Sequence, residues 1–320
     1  MKSTGNWKLG FLLALTTALM WGLLPIAMKV LLKSMDPFSL TWFRFVVALV
    51  MITAYLAYKK KIPSIKKFSR RNIILLAVAS VALAGNYVLY LKGLVHVSPN
   101  TAQVVIQLAP VLLFLGGIVI FKESIRGLQW LGVVILFGGL MLFFRDRLSM
   151  MASEWRGDFY KGVIFIILAA VCWMTYALAQ KAALRDYSSD QILAVIYLSA
   201  SILVLPISDP SSVMSLNLVQ IGFLAFACLN TFIAYGCFAE ALNLWDVSRV
   251  SAVIATAPIF TIIFMKMILS GDYLDMGANP DITLIQGFSA VAVVIGSVIV
   301  ALGNRGKIED VEKAKLTLPD

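Results

Sequence analysis

Ten apolar runs divide the sequence, at roughly 9–32, 38–58, 73–92, 99–121, 128–144, 160–182, 191–207, 217–240, 247–269 and 284–303. Each comes close to the about 20 residues that a helix needs to cross the hydrocarbon of a bilayer. The connections are short and often carry Pro, as in Asp36-Pro37, Ser208-Asp209-Pro210 and Asn279-Pro280. Backbone in lipid must satisfy its own hydrogen bonds, which leaves helices or closed barrels. Runs of this length and continuity give an all-α integral membrane protein with ten transmembrane helices. Composition agrees: 60% of the 320 residues are hydrophobic and 14% charged, against roughly 45–50% and about 25% in soluble domains. No stretch is long enough for a separate soluble domain.

The net charge of +10 would suit a nucleic-acid partner, but the basic residues lie almost entirely between the apolar runs. There they act as topology signals. With both termini in the cytoplasm, 18 of the 27 Lys and Arg residues fall inside and seven outside. The loop from Lys59 to Arg71 weighs most, and the loops 208–216 and 270–283 carry none. The loop 145–161, with Arg145, Arg147, Arg156 and Lys161, dissents. The first run is too long for a cleavable leader, so a bacterial inner (plasma) membrane is the expected location. Cys172, Cys228 and Cys237 all sit in apolar runs and suggest buried thiols.

The chain repeats itself. Val105, Ile106, Ala109 and Pro110 return 148 residues later as Val253, Ile254, Ala257 and Pro258. At an offset of 152, Gly10, Ala18, Trp21, Lys29 and Leu32 meet Gly162, Ala170, Trp173, Lys181 and Leu184. Tyr87 falls on Tyr235 at the first offset. The expected organisation is a first five-helix repeat over 1–144, a second over 145–303, and a disordered cytoplasmic tail over 304–320. Five is odd, so the second copy enters the membrane from the opposite side, giving an inverted repeat. Such repeats are typical of secondary transporters, whose site lies near the midplane between them.

On these residues the sequence resembles the EamA type of the drug/metabolite transporter superfamily, over about residues 9–303. The marks are Trp21-Gly22, Arg44 within Trp42-Phe43-Arg44-Phe45, Ala109-Pro110, Glu123, Gln129 and Gly132. In the second half they are Trp173, Tyr176, Ala257-Pro258 and Gly287. One departure is Lys122-Glu123 where a Gly-Glu usually closes the fourth helix; its second-half counterpart reads Ser270-Gly271-Asp272. The resemblance implies export or exchange of small metabolites, commonly amino acids, without nucleotide hydrolysis and with no cofactor.

The residues themselves nominate a site. Ser98 and Asp246 read as N-caps of the fourth and ninth helices, with Pro99 at a first helical position. Asn100, Gln103 and Gln107 then form one stripe, which must face protein or a wet cavity rather than lipid. Trp21, Tyr87, Trp173, Tyr176 and Tyr235 lie mid-segment, away from the interface where Trp and Tyr usually collect; with Gln103 they are the expected substrate-binding set. Asn86, Gln107 and Asn230 are further candidates, for substrate binding or for structure, and Tyr90 gathers with them in the same helices. Pro25, Pro110 and Pro258 are expected to kink their helices, as static bends or as hinges. Arg44 either binds a carboxylate or is structural, tying down backbone carbonyls or snorkelling outward. Lys29 and Lys181 either snorkel to the interfaces or form a symmetric pair of gates. Each aromatic residue alone is explained equally well by core packing.

No acidic residue falls squarely mid-membrane, and His96 lies in a turn, which disfavours proton coupling. A nucleotide-binding loop of the form G-x-x-x-x-G-K-[ST] is missing. A membrane enzyme would need clustered carboxylates for a metal, and only Asp186 and Asp190 come close. A channel would want repeated charges along a pore. The expected partners are a small-molecule substrate and the lipid bilayer, with no nucleic acid, in a monomer or homodimer.

Overall fold

The computed structural model describes residues 6–62, 69–125, 127–145, 148–149, 157–269 and 284–302. The expected tail after 303, the loop holding Asp272 and the side chain of Asn100 lie outside the described residues. The helices are α1 (Trp7–Leu31), α2 (Pro37–Tyr58), α3 (Arg70–His96), α4 (Pro99–Ile106), α5 (Leu108–Phe121) and α6 (Gly127–Phe143). The second half holds α7 (Gly157–Ala183), α8 (Ser189–Val204), α9 (Leu218–Leu244), α10 (Val247–Ile254), α11 (Ala257–Leu269) and α12 (Leu284–Leu302). Two 3-10 turns, Leu205–Ile207 and Pro210–Ser215, join α8 to α9.

The protein is an all-α membrane protein. Among the described residues, eight spans are long and apolar enough to cross a bilayer, counting Thr101–Phe121 and Val247–Met265 as one each. Two further apolar helices, Gly127–Phe143 and Gly287–Ala301, are shorter, so a count of ten crossings depends on admitting that pair. The helix starts are written locally. Asp36 accepts from the amides of Phe38 and Ser39, Ser98 accepts from Thr101, and Ser188 and Asn217 build capping boxes with Gln191 and Gln220.

Packing interlocks the two halves of the chain. The extensive pairs are α3 with α7, α1 with α9, α6 with α12 and α2 with α8. Exchanging the halves maps α1 against α9 onto α7 against α3. Without a hydrophobic drive in lipid, such pairs rely on close van der Waals approach through small residues. Gly93 and Gly162 face each other: a Cβ on Gly93 would lie 2.9 Å from the Gly162 carbonyl, and one on Gly162 would lie 3.1 Å from the Gly93 carbonyl. Large apolar side chains such as Val50, Val119, Val134, Ile202 and Val291 point outward from the bundle, as a lipid-facing surface requires.

The two broken spans are interrupted where the prolines are expected to kink them: α4 ends at Ile106 and α10 at Ile254, each four residues before its proline, at the carbonyl the ring would clash with. The fourth segment breaks at Gln107, the C-cap of α4, three residues before Pro110; the ninth breaks at Ala255 and Thr256, just before Pro258. Pro110 and Pro258 thus stand in the first turn of α5 and α11, where a missing N–H is tolerated. Pro25 lies inside α1, which continues through it.

Candidate functional site

A cavity partly open to the surroundings lies between the halves. From α1 it takes Trp21, Leu24 and Pro25, and from α2 Arg44. The third helix gives Asn86, Tyr87 and Tyr90, and the broken fourth span gives Gln103, Ile106, Gln107, Ala109 and Pro110. The second half closes it with Trp173, Tyr235 and Ile254. The lining is mostly apolar with a few placed polar groups, as the lining of small-molecule sites is.

The aromatic wall is one connected cluster. Trp21 meets Trp173 edge-on at 5.5 Å between centroids and Tyr235 at 5.1 Å. Tyr87 stacks on Phe45 at 4.5 Å and lies 5.6 Å from Tyr235. Contacts at these spacings stabilise beyond simple burial. The buried Trp21 indole N–H has no protein acceptor, and Trp21 lines the cavity.

Arg44 is 3% exposed. Its Nε donates to Thr231 Oγ1 at 3.0 Å, and its guanidinium carbon lies 4.1 Å from the Tyr87 ring centroid. Nη1 reaches only the Met28 sulfur at 3.6 Å, and the buried Nη2 has no partner. The tie to backbone carbonyls offered by the sequence reading is not what the side chain does here; it leans on a threonine hydroxyl and a ring face.

Asn86 lines the cavity while its amide donates to the Ala169 carbonyl at 2.9 Å. Two of the expected residues stand outside the lining. Tyr176 packs behind the wall against Tyr235 and Phe238. Asn230 lies between α1 and α9, where its amide donates to the Met20 carbonyl at 2.6 Å. Leu24, Ile254 and the anchoring Thr231 were not singled out as site residues by sequence, because nothing local marks an apolar or hydroxyl side chain as cavity-facing.

The two lysines do related things, each beside the start of one broken span. Lys29 Nζ donates to the carbonyls of Leu94, at 2.7 Å, and Val97, at 3.0 Å. Lys181 Nζ donates to the carbonyls of Leu242 and, at 3.0 Å, Trp245. Both acceptor pairs are the ends of long helices, α3 and α9, whose last carbonyls lack intrahelical partners, and they are 148 residues apart. Lys181 is buried, so its ammonium does not snorkel.

Beyond Lys181 the bundle is shut. All eight residues of α10 are buried, and Trp245 packs at 3.0 Å on the position a Gly10 Cβ would take. Asp246 makes no cap with its side chain; it pairs with Arg249 at 3.2 Å. The cap comes from Glu123, whose two carboxylate oxygens accept from the amides of Val247, at 2.8 Å, and Ser248, at 2.9 Å. A carboxylate at a helix N-terminus gains from both hydrogen bonds and the helix dipole. The cavity leans away from this end: its residues on α1 and α3 lie in the halves running toward the α3–α4 turn.

Comparison with known proteins now fixes the kind of molecule. The model of the EamA-like transporter family matches residues 8–145 and 160–302. The chain belongs to the EamA-like transporter family. Among similar proteins, the "Uncharacterized inner membrane transporter YhbE" of Escherichia coli (strain K12) is 39% identical over 298 residues, covering 93% of this chain and 92% of that one. An "Uncharacterized transporter" of Haemophilus influenzae is 38% identical over 297 residues, covering 93% and 96%. A solved crystal structure superposes with a TM-score of 0.70 at 16% identity, over 93% of this chain and 98% of that one; that likeness shows the fold alone. As an EamA-like protein the chain is a membrane transporter, and its cavity is the candidate transport site.

Proposed function

We propose that this EamA-like transporter exports or exchanges small metabolites, amino acids and related compounds first among them, by alternating access. The two halves, 1–144 and 145–303, act as inverted repeats, and both termini lie in the cytoplasm. What supports the reading most is one central cavity lined from both halves while the α9–α10 end beside it is closed by Glu123, Lys181 and Trp245. In the proposed orientation the cavity leans to the outer side. The broken spans α4–α5 and α10–α11 let one end open while the other stays packed, because discontinuous helices can re-aim their halves around a fixed site. The oligomer is a monomer or homodimer.

The test is counterflow in proteoliposomes with a panel of amino acids, sugars and nucleobases. The expected result is uptake of labelled solute driven by unlabelled solute of one class. Gln103→Ala is expected to weaken apparent affinity for that solute roughly tenfold, the loss of one to two hydrogen bonds. Solute passing without saturation or exchange points to a channel, and an unchanged affinity in Gln103→Ala removes that residue from the site.

A further inference from the structure

The cavity contains one formal charge and nothing to balance it. Among its lining residues Arg44 is the only ionisable group that is charged at neutral pH, and no Asp or Glu joins it. A guanidinium stays protonated in proteins, and an unpaired charge withdrawn from water is strongly disfavoured. The neighbours do not make up the deficit. Thr231 Oγ1 donates to the Ala227 carbonyl and accepts from both Arg44 Nε and the Tyr87 hydroxyl, so its hydrogen-bonding capacity is full. Nη2 remains buried and without a partner.

The scaffold does not require this charge. Asp36 and Ser188 are matching N-caps of α2 and α8, 152 residues apart. The residue matching Arg44 at that offset is Ile196, fully buried and apolar. The corresponding helix position therefore packs with a plain aliphatic side chain, and Arg44 is an addition made only where the cavity lies.

We infer that Arg44 is the anion-recognition group of the transport site, and that the substrate carries a single carboxylate on an apolar or aromatic body. The inference rests on this cavity being the transport site. A carboxylate can accept from the unpartnered Nη2 and neighbouring guanidinium donors together, the geometry in which arginine binds most strongly, while the body of the molecule lies against Trp21, Trp173 and Tyr235. One positive charge balances a monoanion. A phosphate monoester, carrying about −1.5 to −2 at neutral pH, is left under-neutralised. An amino group on the substrate meets no acidic side chain in the lining, so it is tolerated rather than required.

Binding to the purified, detergent-solubilised wild-type protein tests this without any transport, read by quenching of cavity tryptophan fluorescence. The probes share one phenylethyl body: 3-phenylpropionate, phenylalanine, 3-phenylpropanamide, phenylalaninamide and 2-phenylethyl phosphate. The expected order places both carboxylates at least tenfold tighter than both amides and tighter than the phosphate. Arg44→Met, or Arg44→Gln should Arg44→Met fold poorly, is expected to remove most of the acid-over-amide preference. Amides binding as well as acids overturn the inference, as does a preference for the phosphate, or an acid preference that survives in a folded Arg44 variant. Failure of every carboxylate to bind also overturns it, while leaving transport of an unrelated solute open. Acid-selective binding without counterflow instead contradicts the transport reading and leaves the Arg44 assignment standing.

Discussion

Gly22→Leu is expected to leave little folded protein. At Gly22 helix α1 crosses α11 so closely that an added Cβ would lie 2.6 Å from Phe260 Cβ, 2.9 Å from the Ala257 carbonyl and 3.1 Å from the Thr261 amide. Two of those three are backbone atoms, which cannot move aside as a side-chain tip can. The crossing is also tied by Thr261 Oγ1 donating to the Gly22 carbonyl at 2.8 Å. Leucine must push the helices apart, and packed interiors do not absorb such changes. Gly22→Ala is expected to cost about 1–3 kcal/mol as an overpacking change, a sizeable part of a typical 5–15 kcal/mol of stability. Gly236→Ala is the control, since nothing lies within 4 Å of its added Cβ. Thermal unfolding and the monodisperse fraction on size exclusion should rank the variants Gly236→Ala, Gly22→Ala, Gly22→Leu from best to worst. Equal behaviour of the three would remove the close crossing from the account.

Lys181→Met is expected to destabilise the protein by about 2–4 kcal/mol, and Lys29→Met by less. Each lysine gives charge-assisted hydrogen bonds to two helix-end carbonyls, and such bonds contribute about 1.5–3 kcal/mol each before compensation. Water decides the difference between the sites. Lys29 is half-buried, so solvent can reach its carbonyls after substitution; Lys181 is buried, and those of Leu242 and Trp245 are left without a replacement. Lys181 also stands in the attractive field of Glu123 and Asp246; after its removal Asp246 keeps its pairing with Arg249 and Glu123 keeps the amides it caps, so the two carbonyls carry most of the loss. Thermal shift in a fixed detergent checks the order. A Lys29→Met loss equal to or larger than that of Lys181→Met contradicts it.

Much of the scaffold was legible in the sequence because membrane crossing imposes a length and a hydropathy that local reading detects. The cavity residues Trp21, Tyr87, Gln103, Gln107, Trp173 and Tyr235 were legible for a related reason. Large aromatic or amide side chains placed mid-span have few inexpensive locations in lipid. The parts that were not legible depend on distant neighbours. Asp246 occupies an N-cap position and reads as a cap, yet Glu123, 123 residues upstream of it, supplies the hydrogen bonds. Tyr176 shares the mid-span position of Tyr235 and still packs behind it, because which face of a buried helix meets the cavity is set by the crossing of α7 with α3.

The central claim is that the α9–α10 end, packed shut here, opens during each transport cycle. Gly117 in α5 and Val247 at the start of α10 meet at that end, with a Gly117 Cβ placed 3.3 Å from Val247 Cβ. Disulfides hold their Cβ atoms about 3.5–4.5 Å apart, so a cysteine at each position can be bridged with a small adjustment. The free Cys172, Cys228 and Cys237 are first replaced by alanine. Counterflow of the solute identified in proteoliposomes is then measured for Gly117→Cys/Val247→Cys before oxidation, after it, and after reduction. Counterflow is expected to stop when the bridge forms and to return when it is reduced. Undiminished counterflow with the bridge intact would show that this end never opens, and would contradict alternating access through the cavity.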